Sequence, residues 1–229
     1  MKNLILFLSF IFVYTLFADE IVRTEVLSDG WKFRLEEEAE WRNVNVPHDW
    51  GVERGFLKAG SCPAQGDLPY VGKGCYRRAL DGFTPPEGGR TYLTLDGVQC
   101  RSLVKLNGKV VGGRPFGYAS ETIDITEALK DSGNILEVEA ENFPESSRWY
   151  PGSGIFRDVT VRVCPKDHVK PNTLFIRTLE ASENAATVAV TFEWRGGTSN
   201  FTFTVDNPSL WSPENPYLYT FSLVSGKDK

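Results

Sequence analysis

Apolar and polar residues alternate in short runs along most of this chain. Leu136, Val138 and Ala140 interleave with Glu137, Glu139 and Glu141, the period-two signature of a strand with one wet face. Val159, Val161 and Val163 interleave in the same way with Asp158, Thr160 and Arg162. Tyr92 to Leu95 forms a shorter run that ends at Asp96-Gly97. Leu103 to Val111 holds Asn107-Gly108 between apolar residues, a tight-hairpin signal because both turn positions favour positive φ. Thr126 to Lys130 predicts one short helical turn with Thr126 as its cap, and Gly133-Asn134 then reopens an extended strand. After the first eighteen residues no long segment follows the helical period. The pattern predicts an all-β chain.

Between Pro165 and Pro171 the alternation stops. Lys166-Asp167-His168 and Lys170-Pro171-Asn172 read as a polar connector. Beyond it Val188, Val190, Phe192 and Trp194 face one way, and Ala189, Thr191 and Glu193 the other. Phe201, Phe203 and Val205 repeat that logic, as do Tyr217, Tyr219, Phe221 and Leu223, so at least three amphipathic strands are expected here. His168 to Val224 is 57 residues, whereas an immunoglobulin-like sandwich takes about 100. The expected organisation is a β-sandwich over residues 19–166 and a small, incomplete sandwich over 167–229.

The first residues read as an address. Lys2 precedes an unbroken apolar stretch from Leu4 to Phe17, followed by Ala18-Asp19-Glu20. A cationic start, an apolar centre and a small residue before polar sequence describe a secretory signal peptide over residues 1–18. This stretch of 14 residues is too short for a bilayer span, which needs about 20. The expected location is therefore secreted or periplasmic, with no membrane span. Composition fits a folded domain: 41% hydrophobic and 24% charged, with a net charge of −5. An acidic chain without a Lys/Arg run is a poor match to phosphate backbones, so no nucleic-acid partner is expected. Export permits disulfides. Cys62, Cys75, Cys100 and Cys164 allow three complete pairings, among which the sequence does not choose. Their spacings match no zinc pattern, and no metal or other cofactor is expected.

Three ordered groups of residues carry a family resemblance. The first is Trp41-Arg42-Asn43-Val44-Asn45-Val46-Pro47-His48-Asp49-Trp50. The second runs Leu95-Asp96-Gly97-Val98, Leu106-Asn107-Gly108-Lys109-Val110-Val111-Gly112, Gly117-Tyr118, Asp124-Ile125-Thr126 and Gly133-Asn134-Ile135-Leu136-Glu137-Val138. The third is Ser146-Ser147-Arg148-Trp149-Tyr150-Pro151-Gly152-Ser153-Gly154-Ile155-Phe156-Arg157-Asp158-Val159. In this order they resemble the N-terminal sugar-binding, galactose-binding-like jelly roll of glycoside hydrolase family 2, which includes β-galactosidases, β-glucuronidases and β-mannosidases. Pro208-Ser209-Leu210-Trp211-Ser212-Pro213-Glu214-Asn215-Pro216-Tyr217-Leu218-Tyr219 resembles the end of the immunoglobulin-like domain that follows it. The resemblance implies a jelly-roll sandwich, then a shortened immunoglobulin-like one.

In that family a TIM barrel follows and supplies the two catalytic carboxylates, and a barrel takes roughly 250 residues. Retaining hydrolysis needs an acid/base and a nucleophile about 5–5.5 Å apart on rigid supports. The family's acid/base sits in an Asn-Glu pair, and this sequence holds no Asn-Glu dipeptide. The implied role is therefore the non-catalytic N-terminal portion of a secreted family 2 enzyme, inactive alone, whose partners are a β-glycoside and a catalytic barrel. No catalytic residue is assigned. The resemblance places Arg148, Trp149 and Tyr150 on a loop that nears the barrel mouth. Trp and Tyr offer flat apolar faces to sugar C–H surfaces and polar edges to hydroxyls, and Arg148 suits a carboxylate or hydroxyl. Packing of Trp149 and Tyr150 against Ile155 is the competing structural role. The alternative function is a free-standing carbohydrate-binding module without hydrolase activity.

Other groups read as structural. His48 and Asp49 are adjacent on an extended chain, point to opposite faces and make a poor catalytic dyad. A corner with Trp50 packed and Asp49 accepting backbone N–H groups is the expectation. Pro151-Gly152-Ser153-Gly154 reads as a tight loop and lacks the Lys-Ser/Thr of a phosphate cradle. Cys75 reads as a buried filler, and Glu137, Glu139 and Glu141 as the wet face of a strand.

Overall fold

A computed structural model describes residues 22–56, 58, 72–143 and 152–222. Cys62, Arg148, Trp149 and Tyr150 lie outside the described residues, as does residues 1–18, the expected leader. The chain divides into two compact units, one over Ile21–Lys166 and one that includes Asp167 onward.

In chain order the first unit comprises β1 (Arg23–Val26), β2 (Trp31–Leu35), β3 (Arg42–Val44), α1 (Trp50–Arg54), β4 (Gly72–Ala79) and β5 (Arg90–Leu95). It continues with β6 (Val98–Gln99), β7 (Leu103–Leu106), β8 (Lys109–Gly112), β9 (Glu121–Asp124), β10 (Ile135–Asn142), β11 (Gly154–Ile155) and β12 (Val159–Cys164). Two antiparallel sheets result, with strand orders β1-β12-β5-β9 and β3-β2-β4-β10-β7-β8, and β11 pairs with β6 apart from them. The inward rows are mostly apolar, with Thr91 of β5 and Asn142 of β10 the buried polar members. Leu136, Val138 and Ala140 of β10 are fully buried with Phe33, Leu93, Val104, Leu106, Val159 and Val161 in one core. The galactose-binding-like jelly-roll reading thus has its all-β, antiparallel sandwich.

The wet face of β10 carries alternating charge. Arg77 of β4 reaches Glu137 at 2.7 Å, and Lys73 reaches Glu139 at 2.9 Å. Such exposed pairs each contribute well under about 1 kcal/mol, so their role is to keep this face solvated. Cys75 sits among them, half-buried, and burial pushes its thiol above the ordinary range. Cys75, Cys100 and Cys164 are free thiols.

The Asn107-Gly108 hairpin forms as expected, with φ of 55° and 79° between β7 and β8. Two local expectations change. The turn near residue 126 is a 3-10 turn over Thr126–Ala128, and Thr126 does not cap it. Its hydroxyl instead donates to Asp124 Oδ1 and accepts from Thr91 N, tying β9 to β5. An unexpected single-turn helix, α1, follows Asp49, which caps it through Gly51 N at 2.8 Å and Val52 N at 3.2 Å.

The second unit holds one antiparallel sheet among the described residues: β13 (Phe175–Ala181), β14 (Ala185–Trp194) and β15 (Gly197–Asp206), in that order. Only Ala186, Val190 and Phe192 of it are buried. Among the described residues this unit is a single thinly covered antiparallel sheet. The alternation at Tyr217–Leu223 does not make a strand over its described residues, 217–222. Phe221 instead lays its ring against Phe201 and Phe203, with centroids 6.2 and 6.1 Å away. The aromatic side chains find partners there without a backbone ladder. Conversely β13 was not expected, because all seven of its residues are exposed and a bulge at Thr178/Glu180 interrupts its alternation.

Candidate functional site

The segment with Arg148, Trp149 and Tyr150 leaves from the end of β10 and returns at Gly152, and the structure describes both stems. Asn142, 2% exposed, joins them: its amide donates to Gly152 O at 2.9 Å and to Ser153 Oγ at 2.8 Å. Its own oxygen accepts from Phe143 N at 3.0 Å. Gly152 and Gly154 have φ of 119° and 110°, which L side chains rarely adopt. A Cβ at Gly152 would lie 2.9 Å from Asp49 Oδ2, and one at Gly154 would strike the Tyr76 hydroxyl and sit 2.8 Å from His48 O. The returning stem is therefore pressed flat against the corner formed by residues 46–50. His48 N donates to Ile155 O at 2.7 Å and Trp50 N to Ser153 O at 3.2 Å, which fixes that contact.

Beneath the stems lies a polar chain. His48 Nδ1 is 2.7 Å from the Tyr76 hydroxyl, and His48 Nε2 is 3.2 Å from Glu53 Oε2. Arg42 Nη1 donates to Glu53 Oε1 at 2.7 Å, with Nη2 on the second oxygen. Burial holds Tyr76 well above the usual phenol range, so it stays protonated. Burial also lowers His48, against the opposing pull of the Glu53 hydrogen bond. One neutral tautomer then satisfies the chain: Tyr76 donates to Nδ1, and Nε2–H donates to Glu53. Burial raises Glu53, but Arg42 and His48 outweigh it and hold the carboxyl below its ordinary range. Burial raises Asp49, against three backbone donors at Val52, Gly51 and Ser153.

These groups are occupied. Asp49 is a helix cap, Glu53 is clamped by Arg42, and the His48 ring packs on Phe33, whose ring centroid is 4.7 Å from its own. The corner reading of Pro47 to Trp50 matches this geometry, with Trp50 fully buried. Among the described residues no cluster of three His, Cys, Asp or Glu side chains suits a metal ion.

On the outgoing side, the Cys100 thiol lies 3.1 Å from Glu141 O, and Arg101 stacks over Phe143 with 4.1 Å to the ring centroid. Arg101 also lines two shallow grooves of about 410 and 310 Å³, one toward Arg114 and Glu121, the other toward Lys73 and Glu139. The contacts of Asn142 are not legible in the sequence. Asn142 and Ser153 are 11 positions apart, and Tyr76 is 28 from His48. Nothing in either local pattern announces those meetings. Asp49 is an N-cap residue type, but a helix of five residues is too short to show a helical period.

Comparison with known proteins agrees with this architecture. The family model for Glycosyl hydrolases family 2 matches residues 158–229. The chain is 32% identical over 225 residues to a candidate β-glucuronidase of Formosa agariphila, covering 85% of this chain and 22% of that protein. It is 30% identical over 219 residues to the β-galactosidase BoGH2A of Bacteroides ovatus, covering 79% and 26%. A β-glycosidase structure from Bacteroides vulgatus superposes with a TM-score of 0.70 at 28% identity, over 85% of this chain and 30% of that one. The chain spans about a quarter of the length of these curated relatives.

Proposed function

The chain belongs to glycosyl hydrolase family 2, and from that premise we propose that it acts as a non-catalytic, sugar-facing part of an exported β-glycosidase. In this reading residues 144–151 project Arg148, Trp149 and Tyr150 toward a β-glycoside held in a TIM barrel, and complete its pocket. The observation that carries the proposal is the double tether of Asn142 across the loop stems. That tether fixes the described residues on either side of the segment, Asn142 and Gly152–Ser153, against each other. The acids beside it support presentation over reaction, since Asp49 and Glu53 are both held in structural bonds.

The test is complementation. The chain alone releases no chromophore from aryl β-galactosides or β-glucuronides. Mixed with a family barrel that lacks its own jelly roll, it raises turnover, and Trp149→Ala removes most of that gain while leaving the circular dichroism unchanged. Hydrolysis by the purified chain alone, with contaminating hydrolases excluded, rejects the proposal. Export is checked separately by the mass of the mature protein, which should begin at Asp19; retention of residues 1–18 in an exporting host rejects that part.

A further inference from the structure

β13 is the outer strand of a three-stranded sheet, and nothing among the described residues pairs with its free edge. All seven of its residues are exposed, including Phe175 at 62%, Ile176 at 45% and Leu179 at 46%. Proteins guard such an edge with charges, Pro or a bulge; Phe175–Ala181 has no Lys or Pro, and its guards are one bulge at Thr178/Glu180 and the two charges themselves. Its charges are Arg177 and Glu180, and neither forms an ion pair among the described residues.

The bulge decides how those two charges sit. Arg177 lies opposite Ala189 of β14 and Glu180 opposite Thr187, with the register shift between Thr178 and Glu180. Ala189 and Thr187 share one face of β14, so Arg177 and Glu180 share that face too. In a regular strand, three residues apart, they would point to opposite faces.

We propose that β13 is a pairing edge for a second copy of this chain. The two β13 strands run antiparallel about a two-fold axis between Thr178 and Leu179. In that register Arg177 of each copy lies directly across from Glu180 of the other, on the same face. Ile176 likewise meets Ala181. A two-fold contact is self-complementary, so one strand with a cation and an anion placed symmetrically about its centre satisfies both pairs at once. The opposite edge of the sheet offers no such match: β15 carries Asp206 and no cation. Two sheets of three strands become one of six, and the exposed ladder groups of β13 gain partners.

The contact is one strand pair, below the roughly 1,200 Å² of stable complexes, so association is weak and reversible. Sedimentation velocity of the purified chain from about 1 to 200 µM reads it directly. The weight-average mass should rise with concentration from that of one chain toward twice that value. Arg177→Glu and Glu180→Arg should each weaken association about tenfold or more, because each sets like charges opposite each other twice. The combined Arg177→Glu/Glu180→Arg chain should dimerise like the original. The neutral Arg177→Gln chain should weaken less than Arg177→Glu, which separates charge pairing from damage to the fold. A chain that stays monomeric throughout overturns the proposal. So does a dimer indifferent to both single reversals, or one that the combined reversal fails to restore.

Discussion

Both amide hydrogens of Asn142 go to the far stem of the 144–151 segment. Replacing Asn142 with Ala leaves Gly152 O and the buried Ser153 side chain short of a donor, at a cost of about 1–3 kcal/mol. Asn142→Asp should do no better at neutral pH, since a carboxylate accepts but does not donate. Urea unfolding checks both, and variants as stable as the parent would show that the neck is closed by other bonds. The chain from Tyr76 through His48 to Glu53 sets a pH dependence at the same scale. Burial holds His48 below its ordinary 6.5 in the folded state, so between those two values the unfolded chain binds the extra proton. This contribution is complete above about pH 6.5 and is lost as pH falls through that window. Glu53, also held low, adds a second loss below its ordinary 4.5. Asp49, held high, acts in the opposite sense as pH rises above 3.8. The melting temperature should therefore fall on going from pH 7 to 5.5, and His48→Gln should flatten that fall. An unchanged slope in the variant would place the titrating group elsewhere. None of this chain is visible in sequence, where His48 and Tyr76 stand 28 positions apart; Arg148-Trp149-Tyr150 is a contiguous motif and lies outside the described residues.

Among the elements, β4 shows how closely α1 is seated on the sandwich. Gly74 lies in β4, where a Cβ would press on the Trp50 ring and sit 2.8 Å from Phe33 Cε2. Both rings are fully buried and stack on each other at 5.8 Å. Neither has room to retreat, so Gly74→Ala should cost about 1–3 kcal/mol or more through overpacking. Gly108→Ala makes a useful contrast, because nothing lies within 4 Å of its added methyl and only the φ of 79° resists it. Its cost should be about 1 kcal/mol. A Gly74→Ala chain as stable as Gly108→Ala would mean that α1 is free to shift. Elements were legible wherever period-two alternation coincided with a buried face. β10 and β12 are the clear cases, since their inward Val and Leu residues have a facing sheet. Alternation alone was not sufficient. Residues 217–222 alternate without a ladder to join, and β13 pairs despite a bulge that spoils its alternation.

At the scale of the molecule the two units differ in what each can bury. The unit over Ile21–Lys166 contains the continuous core, in which β10 lies between β4 and β7 with its inward side chains fully covered. The sheet of the second unit has three buried side chains, Ala186, Val190 and Phe192. Local opening is governed by the apolar area that must be re-exposed, so amides in a thinly covered sheet exchange through cheaper openings than amides in a thick core. Within the small sheet β14 has neighbours on both sides, whereas β13 and β15 each have one among the described residues. Hydrogen exchange at neutral pH should therefore rank the strands. Amides of β4, β10 and β12 should persist longest, β14 should come well below them, and β13 and β15 should exchange first. The ordering inside the small sheet carries extra information, because a second copy added at β13 would slow that strand selectively at high protein concentration while leaving β15 unchanged. If β14 instead outlasted β10, the sheet would have to be covered by something beyond its described residues. The thinness of its core would then be only apparent.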